Sequence, residues 1–311
     1  MKTISIKHVL TIGGIGFGDS EYEFNAPEGV AIDSSGCVYV SDTGNQTVKK
    51  YSREGKFLIS YCKIPQESKE EPKESIVHAM IIQKSLFSDP TGLTIDENSN
   101  LYVCNAFMRS GWANCNILIF DKEGKLINKI GRMGENLGEF SKPFDIKLDS
   151  EGNMYISDWA YSRIQVFDKQ FKLINVIGSE GNKEGEFKMQ HGIAVNNDCL
   201  YVADTYNFRI QLFNKKGKHV KTLQFEGRPP YPMGLALTNN GNIVISRDDD
   251  KKSQHIIQII NNDGSILKSY GGIGIKNGEF RNPANIFVKD NILAVADKGN
   301  NRVQLFEINE L

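Results

Sequence analysis

No run of about 20 consecutive apolar residues occurs in this 311-residue chain, which excludes an ordinary membrane-spanning helix. An excess of one charge is missing too: Lys and Arg number 37 against 38 for Asp and Glu, a net charge of −1. Recognition of nucleic acid through its phosphates needs a basic face, and no dense basic run supplies one, so nucleic acid is disfavoured as a partner. A local patch from Arg109, Arg132, Arg163, Arg209, Arg228, Arg247, Arg281 and Arg302, which lie in or beside loops of one kind, is the form such a face would take. Cysteine is sparse: Cys37, Cys62, Cys104, Cys115 and Cys199 form no CxxC pair of the metal-binding type and leave an odd number, so reduced thiols are expected. Cys104 and Cys115 flank the loop NAFMRSGWAN and could meet across its base, a pairing the sequence leaves open. The opening MKTISIKHVLTIGGIGFG lacks the unbroken apolar stretch of a secretion signal because Lys7 and His8 interrupt it, and the expectation is a cytoplasmic protein.

What the chain has in quantity is repetition, which decides the fold before any single residue can be read. SDWAYSRIQVF at 157–167 recurs as ADTYNFRIQLF at 203–213, as ADKGNNRVQLF at 296–306 and as SDTGNQTVKKY at 41–51, with Thr47 where Arg would stand. Poorer copies begin at Cys104 and Ser246, making six. Ahead of each lies a turn leading into an apolar strand, as in APEGVAIDSSGCVYV and KPFDIKLDSEGNMYI. Markers at Pro27, Pro90, Pro143, Gln190, Pro232 and Pro283 are 63, 53, 47, 42 and 51 residues apart, room for four short strands. Apolar residues alternate within each unit, and turns such as DKEGK and NKKGK carry the Gly that a tight hairpin needs.

Six four-stranded units predict an all-β fold, a six-bladed β-propeller of antiparallel blades forming a single domain over 1–311. The last unit has only three strands, and SIKHVLTIGG at the start matches the missing fourth. The ring is therefore expected to close by pairing of residues around 4–12 with the strand around 302–308.

The elements Gly138, Glu139, Phe140 with Pro143 and Gly278, Glu279, Phe280 with Pro283, and the pairs Asp158/Arg163, Asp204/Arg209 and Asp297/Arg302, resemble those of NHL-repeat six-bladed propellers. The resemblance covers essentially the whole chain and implies the fold. It implies less about function, because such propellers include protein- and RNA-binding domains, extracellular sensors and metal-dependent lyases.

Because Asp and Arg recur at one offset, they read as fold wiring, an Asp capping a turn and an Arg bonding to it or to the next blade. The residues between them differ and read as specific. Strand direction places Phe107, Met108 and Trp112 of blade 2, Trp159 and Tyr161 of blade 3, and Tyr206 and Phe208 of blade 4 on one face, with RDDDKK from Arg247 giving blade 5 a charged rim. An insertion at about 62–88 joins blades 1 and 2, and its apolar part, Ile76 to Ile82, is suited to act as a wall beside that face. The same face carries the channel mouth, ringed by Glu28, Thr91, Phe144, His191, Met233 and Ala284, with Asp145 and Asn285 one position further in.

Related lyases place several histidines there, whereas only His191 does so here, which argues against a three-histidine zinc site. Calcium held by Glu28, Asp145, His191 and Asn285, with His191 and Glu28 as catalytic groups, is the enzymatic alternative, a metal-dependent (calcium or zinc) lyase or lactonase-like hydrolase. The favoured reading is a noncatalytic, monomeric scaffold without cofactor. It would bind a protein or peptide through Phe107, Trp112, Trp159, Tyr161, Tyr206 and Phe208.

Overall fold

A computed structural model describes residues 4–14, 20–61, 86–106, 114–225, 231–248 and 255–310. The alternation of apolar and polar residues is realised as six antiparallel sheets of four strands. In blades 1 to 5 the strands follow chain order from the axis outward. Blade 6 takes three strands from the C-terminal region and its outer strand from Ile4–Gly13, which pairs from Ile4 opposite Glu310 to Gly13 opposite Arg302. The expected propeller and its closure are the observed fold. The inner strands are Pro27–Ile32, Asp89–Ile95, Pro143–Leu148, Ile193–Val195, Tyr231–Leu237 and Pro283–Lys289, and neighbouring inner strands pack together.

A lone blade cannot bury both faces of its sheet, so the cores lie between blades. Val40 and Tyr51 meet Ala296 and Val303 where blade 1 joins blade 6. Val166 and Ile177 meet Leu200 and Phe213 between blades 3 and 4, and Ile210 and Leu223 meet Leu235 and Ile245 between blades 4 and 5. Each fully buried Val, Leu, Ile or Phe stabilises by about 1.5–3 kcal/mol, so the junctions hold the ring. Cys104 and Cys115 are both buried in the blade 2–3 core, where Cys115 Sγ donates to Ser141 O at 2.7 Å.

The Asp–Arg pairs are wiring, as expected, but the aspartates hold the preceding link and do not cap the turns that follow them. Asp158 accepts from the backbone N–H of Ser141 and Lys142 at 3.1 and 3.0 Å and from Arg163 Nε at 3.3 Å. Arg163 also donates to the carbonyls of Glu135, Asn136 and Glu139, while Gln165 accepts from Gly138 N and donates to Glu139 O. Blades 4 and 6 repeat this with Arg209 and Gln211 and with Arg302 and Gln304. The Gly-Glu-Phe link is what they grip. Phe187 of one such link lies so close to Gly178 that a Cβ there would stand 2.1 Å from its ring, and Gly178 has φ +88°. In blade 1, where Thr47 replaces Arg, Lys49 two residues on reaches Asp42 at 2.9 Å and the carbonyls of Ser20 and Glu23.

This burial corrects two surface expectations. Arg163, Arg209 and Arg302 are buried against aspartates and form no basic patch. Arg247, expected on a charged rim, is buried with its guanidinium stacked on Phe225.

Candidate functional site

The inner strands begin on the face that also carries the turns between second and third strands, since Pro143 pairs with Asp158 and Pro27 with Asp42. In blades 1, 3, 4 and 6 each turn is a single turn of 3-10 helix, at Thr43–Asn45, Trp159–Tyr161, Thr205–Asn207 and Lys298–Asn300. A left-handed residue follows each: Gln46, Ser162, Phe208 and Asn301. A bulky aromatic is costly in that region, and Phe208 holds it at φ 55°.

At the channel mouth the polar groups are spent on one another. Asp145 is fully buried and crosses the axis to blade 6, accepting from Asn285 Nδ2 at 2.8 Å. It also accepts from Lys147 Nζ at 2.6 Å and from Ile193 N at 2.9 Å. Lys298 Nζ lies 2.6 Å from Glu28 Oε2, an ion pair off the hydrogen-bond direction. The space left among Glu28, Phe144, Met233 and Asn285 is about 10 Å³, at the lower limit for a single water. Among the described residues no three His, Cys, Asp or Glu side chains come together in a set able to hold a metal.

His191 stands apart from these pairs. Its Nδ1 is 2.9 Å from Thr205 Oγ1, and Thr205 Oγ1 in turn donates to Pro232 O of blade 5 at 2.8 Å. With the single hydroxyl proton committed to that carbonyl, the histidine must donate, which fixes the Nδ1–H tautomer and leaves the Nε2 lone pair unprotonated. Burial pushes its pKa down to about 3, and the positive charge of Lys298 adds to the effect. His191 is therefore neutral at physiological pH.

Two aromatics of blade 3 lie against it. Phe144 meets the imidazole edge-on at 4.6 Å and Trp159 does so at 6.1 Å. Lys142 Nζ caps the Trp159 ring at 4.7 Å, and the buried indole N–H finds no acceptor among the described residues. Tyr231 continues the surface, with Tyr206 and Phe208 at ring distances of 5.3 and 4.9 Å. Tyr161 instead turns to Arg163, whose guanidinium lies 5.0 Å from its ring.

The structure thus sets Trp159 against His191, groups Tyr206 and Phe208 with Tyr231 on the same face, and aligns Tyr161 with the wiring. Phe107, Met108, Trp112, the insertion through residue 85 with its apolar part, and residues 249–252 of the charged rim lie outside the described residues. Where the insertion ends, Phe87 packs on Phe120 at 5.6 Å. Sequence reasoning missed Tyr231, Thr205, Lys147 and Lys298. For Tyr231 the signal was present, an aromatic just before the Pro232 marker. For Lys147 the signal was its place two residues from Asp145 on one strand, whereas the Lys298–Glu28 pairing had none, since those residues are joined only by ring closure.

An NHL-repeat family model matches residues 24–51, and a model for a six-bladed β-propeller of the DUF5128 type matches residues 95–168. A six-bladed β-propeller is accordingly the architecture of this chain, with an NHL repeat matched in its first blade. A curated relative, the probable peptidyl-alpha-hydroxyglycine alpha-amidating lyase pgal-1 of Caenorhabditis elegans, is 27% identical over 159 residues, 49% of this chain and 39% of that protein. The chain thus matches about two fifths of that relative's length. Virginiamycin B lyase from Staphylococcus aureus superposes with a TM-score of 0.61 at 14% identity, covering 98% of this chain and 99% of that one. XC5397 of Xanthomonas campestris, described as a gluconolactonase, gives a TM-score of 0.62 at 13% identity, covering 92% and 87%. At such identities these structures are alike in fold. No helix among the described residues is long and apolar enough to cross a membrane.

Proposed function

We propose that the protein is a noncatalytic scaffold that binds a protein or peptide through the blade 3 to 5 side of this face. The observation that carries the reading is the aromatic surface of Trp159, Tyr206, Phe208 and Tyr231, set beside a mouth with room for about one water. Aromatic side chains concentrate binding energy at interfaces, and two features here are poor choices for stability alone. One is the left-handed Phe208, the other the buried indole N–H of Trp159 without an acceptor. Free thiols at Cys37, Cys104 and Cys199 fit a cytoplasmic protein.

The test pans a phage-displayed peptide library on the wild type and on Trp159→Ala/Tyr206→Ala. Enriched peptides should bind the double variant more than about tenfold more weakly. Failure to enrich any peptide, or equal binding to both proteins, would defeat the reading.

A second reading, a calcium- or zinc-dependent lyase or lactonase-like hydrolase, is favoured by the Nε2 lone pair of His191 and by the names of the similar proteins. Glu28, Asp145, His191 and Asn285 would be its ligand set. As they stand these residues do not fit a divalent cation, because Lys298 and Lys147 already neutralise the two carboxylates and a metal would have to displace them. Inductively coupled plasma mass spectrometry on the purified protein decides the metal question. Turnover of a peptidyl-α-hydroxyglycine or a streptogramin B, lost in His191→Ala, would replace the binding reading with the catalytic one.

A further inference from the structure

Blade 5 inverts the wiring of its neighbours. Its register sets Arg247 opposite Pro232 and Ile256, the place Asp158 holds opposite Pro143 and Arg163 in blade 3. Gln258, two residues past Ile256, corresponds to Gln165 and lies on the same side of the sheet as Arg247. In blades 3, 4 and 6 that glutamine accepts a link N–H and the arginine before it takes link carbonyls. Those links run over 131–142, 178–192 and 272–282, whereas the one into blade 5 runs only over 225–230 and carries no Gly-Glu-Phe element.

Polar groups are left over as a result. Arg247 is 3% exposed, and its guanidinium lies 3.7 Å from the centroid of the Phe225 ring. Its Nε and Nη2 find no acceptor among the described residues, and Gln258 Oε1 finds no donor, its Nε2 being given to Ser269. The adjacent Asp248 is engaged by His255 Nε2 at 3.1 Å. Two unspent N–H groups on a buried cation are costly for a fold to carry, and burial pulls this arginine's pKa down to about 10. A flat guanidinium with one face on a ring and parallel N–H groups unspent matches the two oxygens of a carboxylate. Along the strand the position is one register pair from Tyr231, which stands opposite Asp248, at the end of the blade that carries the aromatic face.

We propose that Arg247 and Gln258 form a carboxylate-recognition site, in which the guanidinium takes a carboxylate of the bound peptide and Gln258 Oε1 takes a peptide N–H. The proposal rests on the peptide-binding reading and specifies its ligand as one carrying an aromatic group next to a carboxylate. Engagement through the in-plane Nε–H and Nη2–H is compatible with the guanidinium face remaining on Phe225.

Isothermal titration calorimetry at fixed ionic strength tests it with three probes: N-acetyl-Phe-Gly with a free C-terminal carboxylate, N-acetyl-Phe-Asp amide with a side-chain carboxylate, and neutral N-acetyl-Phe-Gly amide. At least one acid should bind more than about tenfold tighter than the neutral probe, and whichever does so identifies the source of the carboxylate. Arg247→Met should abolish that preference and, without ligand, melt at a higher temperature than the wild type. Arg247→Lys, which keeps the charge but loses the fork, should retain only part of it. Equal binding of acid and neutral probes to the wild type would overturn the site while leaving the aromatic surface as a peptide site. Binding of none would overturn both. A preference that survives Arg247→Met, or a lowered melting temperature of that variant, would assign Arg247 a structural task and overturn the proposal.

Discussion

In blade 4 Asp204 is fully buried and accepts from Lys188 N at 2.8 Å, from Arg209 Nε at 2.7 Å and from Gln211 Nε2 at 3.0 Å. In blade 5, which shares a core with it, the equivalent position carries Arg247, paired through neither Nε nor Nη2. Both charges are shut away from water. They differ in what the preceding link supplies: the long Gly-Glu-Phe link offers N–H and carbonyl groups for the blade 4 residues to meet, and the short link into blade 5 has no such element. A buried charge in a repeat is therefore stabilising or costly according to the loop that answers it.

The largest effect should come from cutting the saturated network. Arg209→Met removes the donors to Asp204, Lys183 O and Glu186 O and strands a buried carboxylate, so it should cost about 3–5 kcal/mol, read from urea unfolding. Arg247→Met should do the reverse and gain about 2 kcal/mol, because it removes a buried charge whose Nε and Nη2 find no acceptor among the described residues and keeps the contact with Phe225. Losses of like size from both would erase the distinction between the blades.

The third prediction concerns the contact joining the two blades, His191 through Thr205 to Pro232 O. The folded-state pKa of about 3 lies below the ordinary value of 6.5. Above pH 6.5 the group is neutral in both states and adds no pH dependence. Below it the unfolded chain takes up the proton first, so stability falls by about 1.4 kcal/mol per pH unit down to the folded pKa. The stability of His191→Asn relative to the wild type should thus improve by about 1.4 kcal/mol between pH 7.5 and pH 5.5, measured as a difference of urea unfolding energies. Parallel pH profiles would mean that His191 is not held neutral by the fold.

The sequence made visible what repeats and hid what compensates. Alternating strands, turn residues and the orphan first strand sufficed for six blades and their closure, because each is a local pattern counted six times. The Asp–Arg pairs were legible for the same reason. Lys49 standing in for the missing arginine was not, since its work is done from a position two residues away. The channel mouth was misleading in another way: Glu28, Asp145 and Asn285 looked like available ligands, but Lys298, Lys147 and a bond across the axis occupy them. Arg247 was read as a surface charge because its run, RDDDKK, has the composition of one. Only its register with Pro232 shows that it fills the place of a buried aspartate.

The smallest expected change in stability is at Tyr206, and its smallness is what makes it informative. The side chain is 43% exposed, and the ring contact it makes is with Tyr231 at 5.3 Å, so Tyr206→Ala should shift the unfolding free energy by less than about 0.5 kcal/mol. Asp204, two residues earlier on the same turn, is fully buried and belongs to the network whose loss is the most damaging. One turn therefore holds a residue that the fold needs and another that it barely uses. If Tyr206→Ala unfolds like the wild type in urea and yet loses selected peptides, the aromatic surface is retained for binding. If it destabilises as the blade 4 network variant does, the tyrosine is part of the wiring, and the aromatic surface loses its claim to be a separate functional surface.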